Sequence, residues 1–528
     1  MTLQNIIANL LKRKTPDDAV KSASNGGLEK TLGVWDLIIL GVGAIIGSGI
    51  FAVVGIAAAG SADGASPGAG PALVISMVIA AIACVFSALC FSEFAAMIPV
   101  AGGAYSYTFA TLGEFAAWII GWVLMLEYVI AFIAVSCSWA KYVVHFLEGF
   151  GHILPAWITN PPIWLVTDYR TAVNSLTAQG LDTSVIPSIF GIPVCINLPA
   201  ALIILFITMT LVKGTKDSTK FAAFMVALKL GIIALFILSG FFFVTPSNWG
   251  TNWATFAPNG FSGIFMGAFI IFFAYIGFDA LATTAEECKN PQRDLPIGII
   301  GSLVVTTIVY TLVAFVLTGM YKTQGNVDSA FLGAPLAFAM ENVLHGWVAK
   351  AIPGFMSVGI IAGLTSVLLV MELAATRILY VMSRDNFLPK AFQNLHPKYN
   401  TPHILTWVVC IVSIFGTLTL NLDAAANLCN LGTFTSFIIV CAAILILRKI
   451  DPNRPRPFKV PFCPWFPLAG ILCCGGLMGF MMFTAKGDAA KLSTELFIAW
   501  IIMGIIIYAS YGYKKNRLAE QKEIAENE

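Results

Sequence analysis

Long apolar stretches follow one another along most of the chain, and short polar segments containing charges, Pro or Gly separate them. A helix that crosses the hydrocarbon core of a bilayer needs about 20 apolar residues. Stretches of that length predict twelve membrane-spanning helices. Their approximate bounds are 35–59, 71–98, 115–146, 197–213, 221–245, 261–284, 297–320, 352–381, 403–421, 424–448, 465–485 and 494–513.

Composition supports this all-α, polytopic membrane class. Hydrophobic residues make up 58% of the 528 positions, charged residues make up only 11%, and the mean hydropathy is +0.84. A net charge of +2 gives no indication of a nucleic-acid partner. The chain has no phosphate-binding GxxxxGK loop, no HExxH motif and no metal-ligand spacing, so we expect neither an enzyme nor a cofactor or metal. The five histidines fall in loops or at span ends, where surface positions are expected.

The distribution of Lys and Arg predicts the orientation, because cytoplasmic loops retain these residues. With the N-terminus inside, 23 of the 30 fall in cytoplasmic segments, six fall in outer segments, and Lys229 lies within a span. Both termini are therefore expected in the cytoplasm, as segments 1–34 and 514–528. No outer loop carries an Asn-x-Ser/Thr sequon, which favours the plasma membrane of a bacterium, its inner membrane.

Two of the predicted spans are interrupted. GAIIGSGIF (43–51) places glycines and a serine inside the first span, and FFAYIGFD (272–279) places Tyr, Gly and Asp inside the sixth. Five spans separate the two starts, so the equivalent helices cross the membrane in opposite senses. This pattern predicts inverted repeats over 35–245 and 261–448, with 465–513 outside them, as in secondary transporters.

A helix interruption has a specific chemistry. Unpaired backbone groups cost several kcal/mol each in lipid, so an unwound segment persists only inside protein or beside a cavity. Its free N–H groups suit a carboxylate, and its free carbonyls suit an ammonium group. A zwitterionic amino acid carries both. The alternative is a helix-packing seam, since Gly43 and Gly47 also form a small-xxx-small motif.

Four segments together resemble the amino acid–polyamine–organocation superfamily, and within it the cationic amino acid transporter family and its bacterial relatives. They are GAIIGSGIF, PVAGGAYSY (99–107), FFAYIGFDALATTAEECKNPQRDLP (272–296) and TRILYVMSRDNFLP (376–389). The resemblance implies a leucine-transporter-type 5+5 fold with two additional C-terminal helices. It also implies that Ser48 and Gly49 hold the substrate carboxylate, that Phe273 acts as a gate, and that carbonyls of Ile45, Phe273, Ala274 and Ile276 hold the substrate amine.

Lys229 is the second informative position, because a lysine near the bilayer centre costs about 3 kcal/mol and is a functional candidate by default. It lies nine residues beyond Lys220, roughly 13 Å deeper along a helix. The resemblance places such a lysine where sodium-coupled members of the fold bind their ion. This predicts proton coupling, with Glu127 of the third span as the partner carboxylate. A fixed lysine–carbonyl brace is the alternative.

The remaining candidates concern the substrate side chain. Asp279 and Glu372 either face the inner vestibule, where they favour cationic substrates, or pair locally, Glu372 with Arg377. Thr365, Ser366 and Met371 are weaker candidates for the side-chain pocket. We therefore expect a proton-coupled importer of an L-amino acid, its partners being that substrate, protons and the lipid bilayer. Rival hypotheses are an exchanger or sodium symporter of the same fold, and a non-transporting amino acid sensor.

Overall fold

The computed structural model describes residues 13, 30, 32–61, 66–100, 102–149, 155–178, 180–189, 192–214, 218–323, 328–346, 348–484 and 487–512. The predicted cytoplasmic tail 514–528 and nearly all of segment 1–34 lie outside the described residues.

The first half of the chain forms nine helices and one small hairpin among the described residues, with the first span divided in two. Its elements are α1 Val34–Ile45, α2 Val54–Ala59, α3 Leu73–Met97, α4 Gly103–Thr111, α5 Glu114–Glu148, α6 Ala156–Thr159, α7 Tyr169–Ala178, β1 Ser188–Ile189, β2 Ile192–Pro193, α8 Leu198–Lys213 and α9 Ser218–Phe241.

Every secondary-structure element of the second half is a helix in the part of the chain that the structure describes. Its elements are α10 Trp253–Phe256, α11 Gly260–Phe272, α12 Pro291–Met320, α13 Ser329–Gly333, α14 Pro335–Val343, α15 Val348–Arg384, α16 His403–Thr419, α17 Leu422–Ile450, α18 Trp465–Thr484 and α19 Asp488–Ile507. The predicted all-α class is thus confirmed in its main feature, since the two strands contain only two residues each.

Nine helical segments within the described ranges are long and apolar enough to cross a membrane, or ten if the bent pair α1 and α2 counts as one span. Two more apolar helices, α8 and α16, are shorter than this criterion requires. Large apolar side chains remain exposed on the outside of the bundle, for example Phe206 and Phe415. Such a surface is expected where helices face lipid rather than water.

The two longest helices lie side by side at the centre of the fold. α5 has 35 residues and α15 has 37, and the two pack extensively against each other. A second long pair, α3 and α12, packs in the same way. The largest buried apolar cluster includes residues of all four helices and of both interrupted spans.

Several short elements between the spans were not predicted. α4 occupies the segment 99–114, which the sequence pattern assigned to a loop, and α13 and α14 lie between α12 and α15. These helices are only five to nine residues long and contain no apolar stretch of spanning length. The hydropathy pattern therefore carries no signal for them.

A buried carboxylate fixes one end of the bundle. Glu93 near the end of α3 accepts hydrogen bonds from Arg448 Nε at 3.1 Å and from Arg448 Nη2 at 2.5 Å. It also accepts one from the backbone N–H of Val460 at 2.7 Å, and Arg456 Nε lies 3.3 Å away. Because the carboxylate is fully buried, these donors are required to offset its desolvation. The basic segment after α17 is thereby tied to α3.

Candidate functional site

The first interruption lies within the predicted GAIIGSGIF stretch. α1 ends at Ile45, Ile46 adopts an extended conformation, and helix resumes at Gly49 as one π turn before α2. The axes on the two sides of the break differ by 44°. Glycine weakens a helix by about 1 kcal/mol relative to alanine, so the helix is interrupted within this glycine-rich stretch. The last carbonyls of α1 and the first N–H groups after the break lose their intrahelical partners.

The second interruption follows α11. A 3₁₀ turn covers Phe273–Tyr275, Ile276 is extended, and Gly277 has a φ of +121° before a second 3₁₀ segment, Asp279–Glu287. Only glycine adopts such a φ without strain. A Cβ at Gly277 would also lie 2.8 Å from the carbonyl oxygen of Ala44 in α1. The backbone of the second break therefore packs directly against the backbone of the first, next to Ala44.

The two breaks touch again at Gly49. A Cβ there would lie 2.2 Å from the Cα of Ala274, closer than any real Cβ contact. Gly47 is different, since a Cβ there would lie 3.5 Å from the side chain of Val367. Glycine is thus required at the crossing point itself, whereas a Cβ at Gly47 would make an ordinary van der Waals contact.

A cavity lies beside this crossing. Ser48 contributes a hydroxyl that is buried and has no hydrogen-bond partner among the described residues. Six predicted site residues line the cavity, together with five that the sequence reading did not single out for it. The eleven are Ala44, Ile45, Gly47, Ser48, Gly49, Ala131, Val135, Phe273, Ile276, Val367 and Met371. The predicted Ala274 contacts Gly49 but does not line the cavity.

Tyr310 on α12 joins the two breaks, and sequence reasoning missed it. Its hydroxyl lies 3.0 Å from the carbonyl oxygen of Ile45 and 3.0 Å from that of Ala274. These are two of the carbonyls predicted to hold the substrate amine. One hydroxyl proton cannot satisfy both carbonyls fully, so hydrogen-bonding capacity remains there. The general need of a buried tyrosine hydroxyl for a partner was the only signal that could have indicated it.

Lys229 connects α9 to the first break. Its Nζ donates to the carbonyl oxygen of Gly43 at 2.9 Å and to that of Ile46 at 3.1 Å. The aliphatic part of the side chain passes Gly363 on α15, where a Cβ would lie 2.8 Å from Lys229 Cγ. The lysine is almost fully buried. Its charge is therefore balanced by the carbonyl dipoles that the interruption frees.

Glu127 lies in a different environment. Its Oε2 accepts a hydrogen bond from Ser436 on α17 at 3.4 Å, and its Oε1 is buried without a partner among the described residues. The neighbouring Tyr128 donates its hydroxyl to Asp279 Oδ2 at 2.8 Å, and Asp279 Oδ1 accepts from the N–H of Gly277 at 3.2 Å. Glu127 and Lys229, both described, form no ion pair with each other. The carboxylate of Asp279, through Tyr128, connects α5 to the second break, whereas Glu127 contacts α17.

The other polar candidates on α15 form hydrogen bonds away from the cavity. Glu372 Oε1 accepts from the hydroxyl of Thr208 on α8 at 2.6 Å, and its Oε2 is buried without a partner among the described residues. Glu372 does not line the cavity and forms no ion pair with Arg377, which is also described. Thr365 donates to the carbonyl of Ile361 and accepts from Trp139 Nε1. Ser366 donates to the carbonyl of Gly363. Of the weaker pocket candidates, the structure places only Met371 at the cavity.

The α2 side of the cavity is covered. Tyr142 on α5 donates its hydroxyl to the carbonyl of Phe51, just beyond the break. Gly55 on α2 packs beneath α13 and α14, since a Cβ there would lie 3.0 Å from the carbonyl oxygen of Phe331 and 3.1 Å from Pro335 Cβ. These contacts place α5, α13 and α14 against the part of the first span beyond the break.

The chain is similar to known proteins along most of its length. The amino acid permease family matches residues 32–507. The chain is 37% identical over 513 residues to the branched-chain amino acid permease BcaP of Bacillus subtilis, covering 97% of this chain and 99% of that protein. It is equally identical, at 37% over 513 residues, to the methylthioribose transporter of the same organism, covering 97% and 100%. Cationic amino acid transporter 9 of Arabidopsis thaliana is 36% identical over 498 residues, covering 93% and 79%.

Proposed function

Because the chain belongs to the amino acid permease family, and is thus a multi-pass membrane permease, we propose that it imports an L-amino acid together with protons by alternating access. The observation that carries the proposal is the contact of two helix interruptions beside one cavity. The similar proteins are named as permeases and transporters, not as enzymes. Free helix ends of both polarities at one place match the two charged groups of a zwitterion.

Recognition of the substrate backbone follows from the chemistry of these ends. Ser48 offers its hydroxyl, and Gly49 offers an N–H at a helix N-terminus, where a carboxylate is favoured. The carbonyls of Ile45, Phe273, Ala274 and Ile276 accept from the ammonium group. Tyr310 holds two of these carbonyls together, so it sets the distance between the two sides of the amine site. Phe273 lies at the cavity wall, where it covers the bound side chain.

The walls of the cavity support a neutral aliphatic side chain. Ala131 and Val135 on α5 face Val367 and Met371 on α15, and no carboxylate lines the cavity among the described residues. Glu372, which could have attracted a cationic side chain, contacts Thr208 instead. A relative named for branched-chain amino acids agrees with such walls. The methylthioribose of the other relative's name lacks the carboxylate and amine that the helix ends match.

Lys229 supplies the proposed proton coupling. When protonated, its ammonium donates to Gly43 and Ile46 and fixes the first break against α9. Loss of the proton removes the charge that these carbonyl dipoles stabilise, so the break is released. Glu127 and Asp279 form a second group of buried acids beside the other break. Movement of one proton thus changes the attachment of the first span, on which alternating access depends.

The proposed architecture is twelve spans in a 5+5 inverted repeat plus α18 and α19. Counting the bent pair once and adding α8 and α16 gives this number. The side-by-side packing of α5 with α15 and of α3 with α12 supports the repeat, because these helices occupy equivalent positions in the two halves. The Lys and Arg distribution supports an orientation with both termini in the cytoplasm, and the absence of Asn-x-Ser/Thr sequons in the outer loops supports a bacterial inner membrane.

Uptake by the purified protein in proteoliposomes tests the proposal. Labelled leucine should accumulate when the interior is made alkaline, and a sodium gradient without a pH gradient should produce no accumulation. Binding without uptake would support the sensor, and uptake that needs an amino acid inside would support the exchanger. Accumulation driven by sodium alone would contradict proton coupling. Uptake of labelled methylthioribose that an excess of leucine does not inhibit would overturn the amino acid substrate.

A further inference from the structure

His145 lies between two carboxylates at one end of α5. Its Nε2 is 3.6 Å from Glu341 Oε1 on α14, and its Nδ1 is 3.9 Å from Glu148 Oε2 on its own helix. The imidazole is only 16% exposed, whereas the side chains of Glu341 and Glu148 are 42% and 54% exposed. The ring is therefore more covered than the surface position expected for this histidine implies.

The His145–Glu341 pair lies between two elements that pack against the first span. Tyr142, one turn before His145, bonds to Phe51 beyond the first break, and α14 packs over Gly55 on the same span. The His145–Glu341 pair thus joins the two elements that cover this side of the cavity. With both termini in the cytoplasm, as proposed above, this side is the outer one.

The charge of the pair depends on pH in the range that cells encounter. Histidine ordinarily titrates near pH 6.5, and the ring of His145 has the carboxylates of Glu341 and Glu148 beside its two nitrogens. α5 is about 52 Å long, longer than the roughly 30 Å hydrocarbon core, so its end reaches the aqueous boundary. Burial raises the pKa of Glu341, and His145 opposes that shift. Lys141, one turn earlier on α5, extends toward Gly333 on α13.

We propose that His145 and Glu341 form a pH-dependent latch that holds α14 over the outer half of the first span. The latch is complete where Glu341 has lost its proton and His145 has kept its own, which is mildly acidic solution. As the pH rises through the titration of His145, the attraction is lost and the outer closure weakens. An acidic exterior, the condition that drives proton-coupled uptake, therefore favours the outward-closed state. The latch rests on the proposed orientation but not on the identity of the substrate.

The latch predicts a change in the accessibility of Val53, which is fully buried and borders a recess on the same side as α14. Val53→Cys is reacted with a membrane-impermeant maleimide added outside proteoliposomes. Leu181→Cys, which is 53% exposed between α5 and α8, corrects for the pH dependence of the thiol reaction itself. Relative to this control, the rate should rise about fivefold from about pH 5.5 to about pH 8, the effect of one surface ion pair.

Four substitutions in the Val53→Cys background, three tests and one control, separate the latch from other causes. His145→Gln and Glu341→Gln should each give the faster rate at both pH values. His145→Lys retains a cation and should keep the slower rate at both. Glu148→Gln is the matched control, because it removes a carboxylate from the same imidazole without affecting α14, and it should leave most of the pH response.

The outcomes are distinguishable. An unchanged pH response in His145→Gln would overturn the latch, as would loss of the response in Glu148→Gln but not in Glu341→Gln. Failure of Leu181→Cys to react from outside would contradict the proposed orientation instead. Uptake of leucine by Glu341→Gln, measured in the same vesicles, shows whether transport itself is retained.

Discussion

Gly49 and Ala274 lie in direct contact where the two interrupted spans cross, so that a Cβ on Gly49 would lie 2.2 Å from the Cα of Ala274. Gly49→Ala should therefore separate the breaks or shift the backbone, at a cost typical of overpacking, about 1–3 kcal/mol. We expect uptake to fall about tenfold or more and the melting temperature to drop. Transport assays and thermal unfolding of the detergent-solubilised protein measure both effects.

Gly47→Ala is the matched control for this prediction. The added Cβ would lie 3.5 Å from Val367, an ordinary van der Waals distance. Stability should remain near that of the unchanged protein. Equal damage from both substitutions would show that helix weakening by glycine matters at this break, rather than the close approach of the two spans.

Tyr310→Phe tests the connection between the two amine-binding sides. The substitution keeps the ring and removes only the hydroxyl that lies 3.0 Å from the carbonyls of Ile45 and Ala274. One hydrogen bond contributes about 1 kcal/mol, so we expect KM to rise about fivefold. Because the hydroxyl acts on the amine site, the increase should be similar for alanine and leucine. Uptake kinetics with both substrates measure it.

Thr311→Val provides the comparison on the same helix. Thr311 donates its hydroxyl only to the carbonyl of Thr307 within α12. Its KM values should stay unchanged. A Tyr310→Phe variant that altered the ratio of alanine to leucine uptake, while KM for alanine stayed constant, would place the tyrosine at the side-chain pocket instead.

The two breaks were accessible to sequence reasoning because they require unusual residues. Gly49 and Gly277 stand inside apolar spans, where glycine weakens the helix, and the structure uses both at points of close backbone approach. The family was likewise recognisable, since it is carried by contiguous motifs. The structure then brings Ile45, Ser48 and Phe273 to one cavity, although their contact with substrate stays a prediction.

Other parts of the site were not accessible, because they depend on contacts between distant segments. Tyr310 is one more aromatic residue in an apolar span until its hydroxyl is seen beside both breaks. Ala131 and Val367 are ordinary apolar residues, and only the packing of α5 against α15 makes them cavity walls. The direction in which Glu372 points depends on Thr208, which lies 164 residues away in sequence.

Lys229→Met should uncouple uptake from protons. Methionine keeps an unbranched side chain in the space beside Gly363 but removes the donor to Gly43 and Ile46. We expect leucine accumulation under an imposed pH gradient to fall to equilibration, while leucine binding is kept within a few-fold. Binding by scintillation proximity and uptake in proteoliposomes separate the two effects.

The position of the charge provides the control for Lys229. Lys213→Met removes a lysine from the end of α8, where the residue is exposed and outside the site. Uptake by that variant should respond to the pH gradient as before. Persistent accumulation in Lys229→Met would exclude proton coupling through this residue and would leave the lysine as a fixed brace between α9 and the first break.

The side-chain pocket should discriminate by size rather than by charge. Ala131→Val adds two methyl groups to a cavity wall that faces α15. A difference of one methylene in an apolar pocket changes discrimination by roughly 10-fold to 200-fold. We therefore expect kcat/KM for leucine to fall at least about tenfold relative to alanine. Glu372 is next to Met371 in sequence, but its carboxylate accepts from Thr208. Glu372→Gln should therefore leave the leucine-to-alanine ratio unchanged, and it should not change the uptake of lysine. A gain or loss of lysine uptake in Glu372→Gln would show that its carboxylate reaches the substrate, and a constant ratio in Ala131→Val would place the pocket elsewhere.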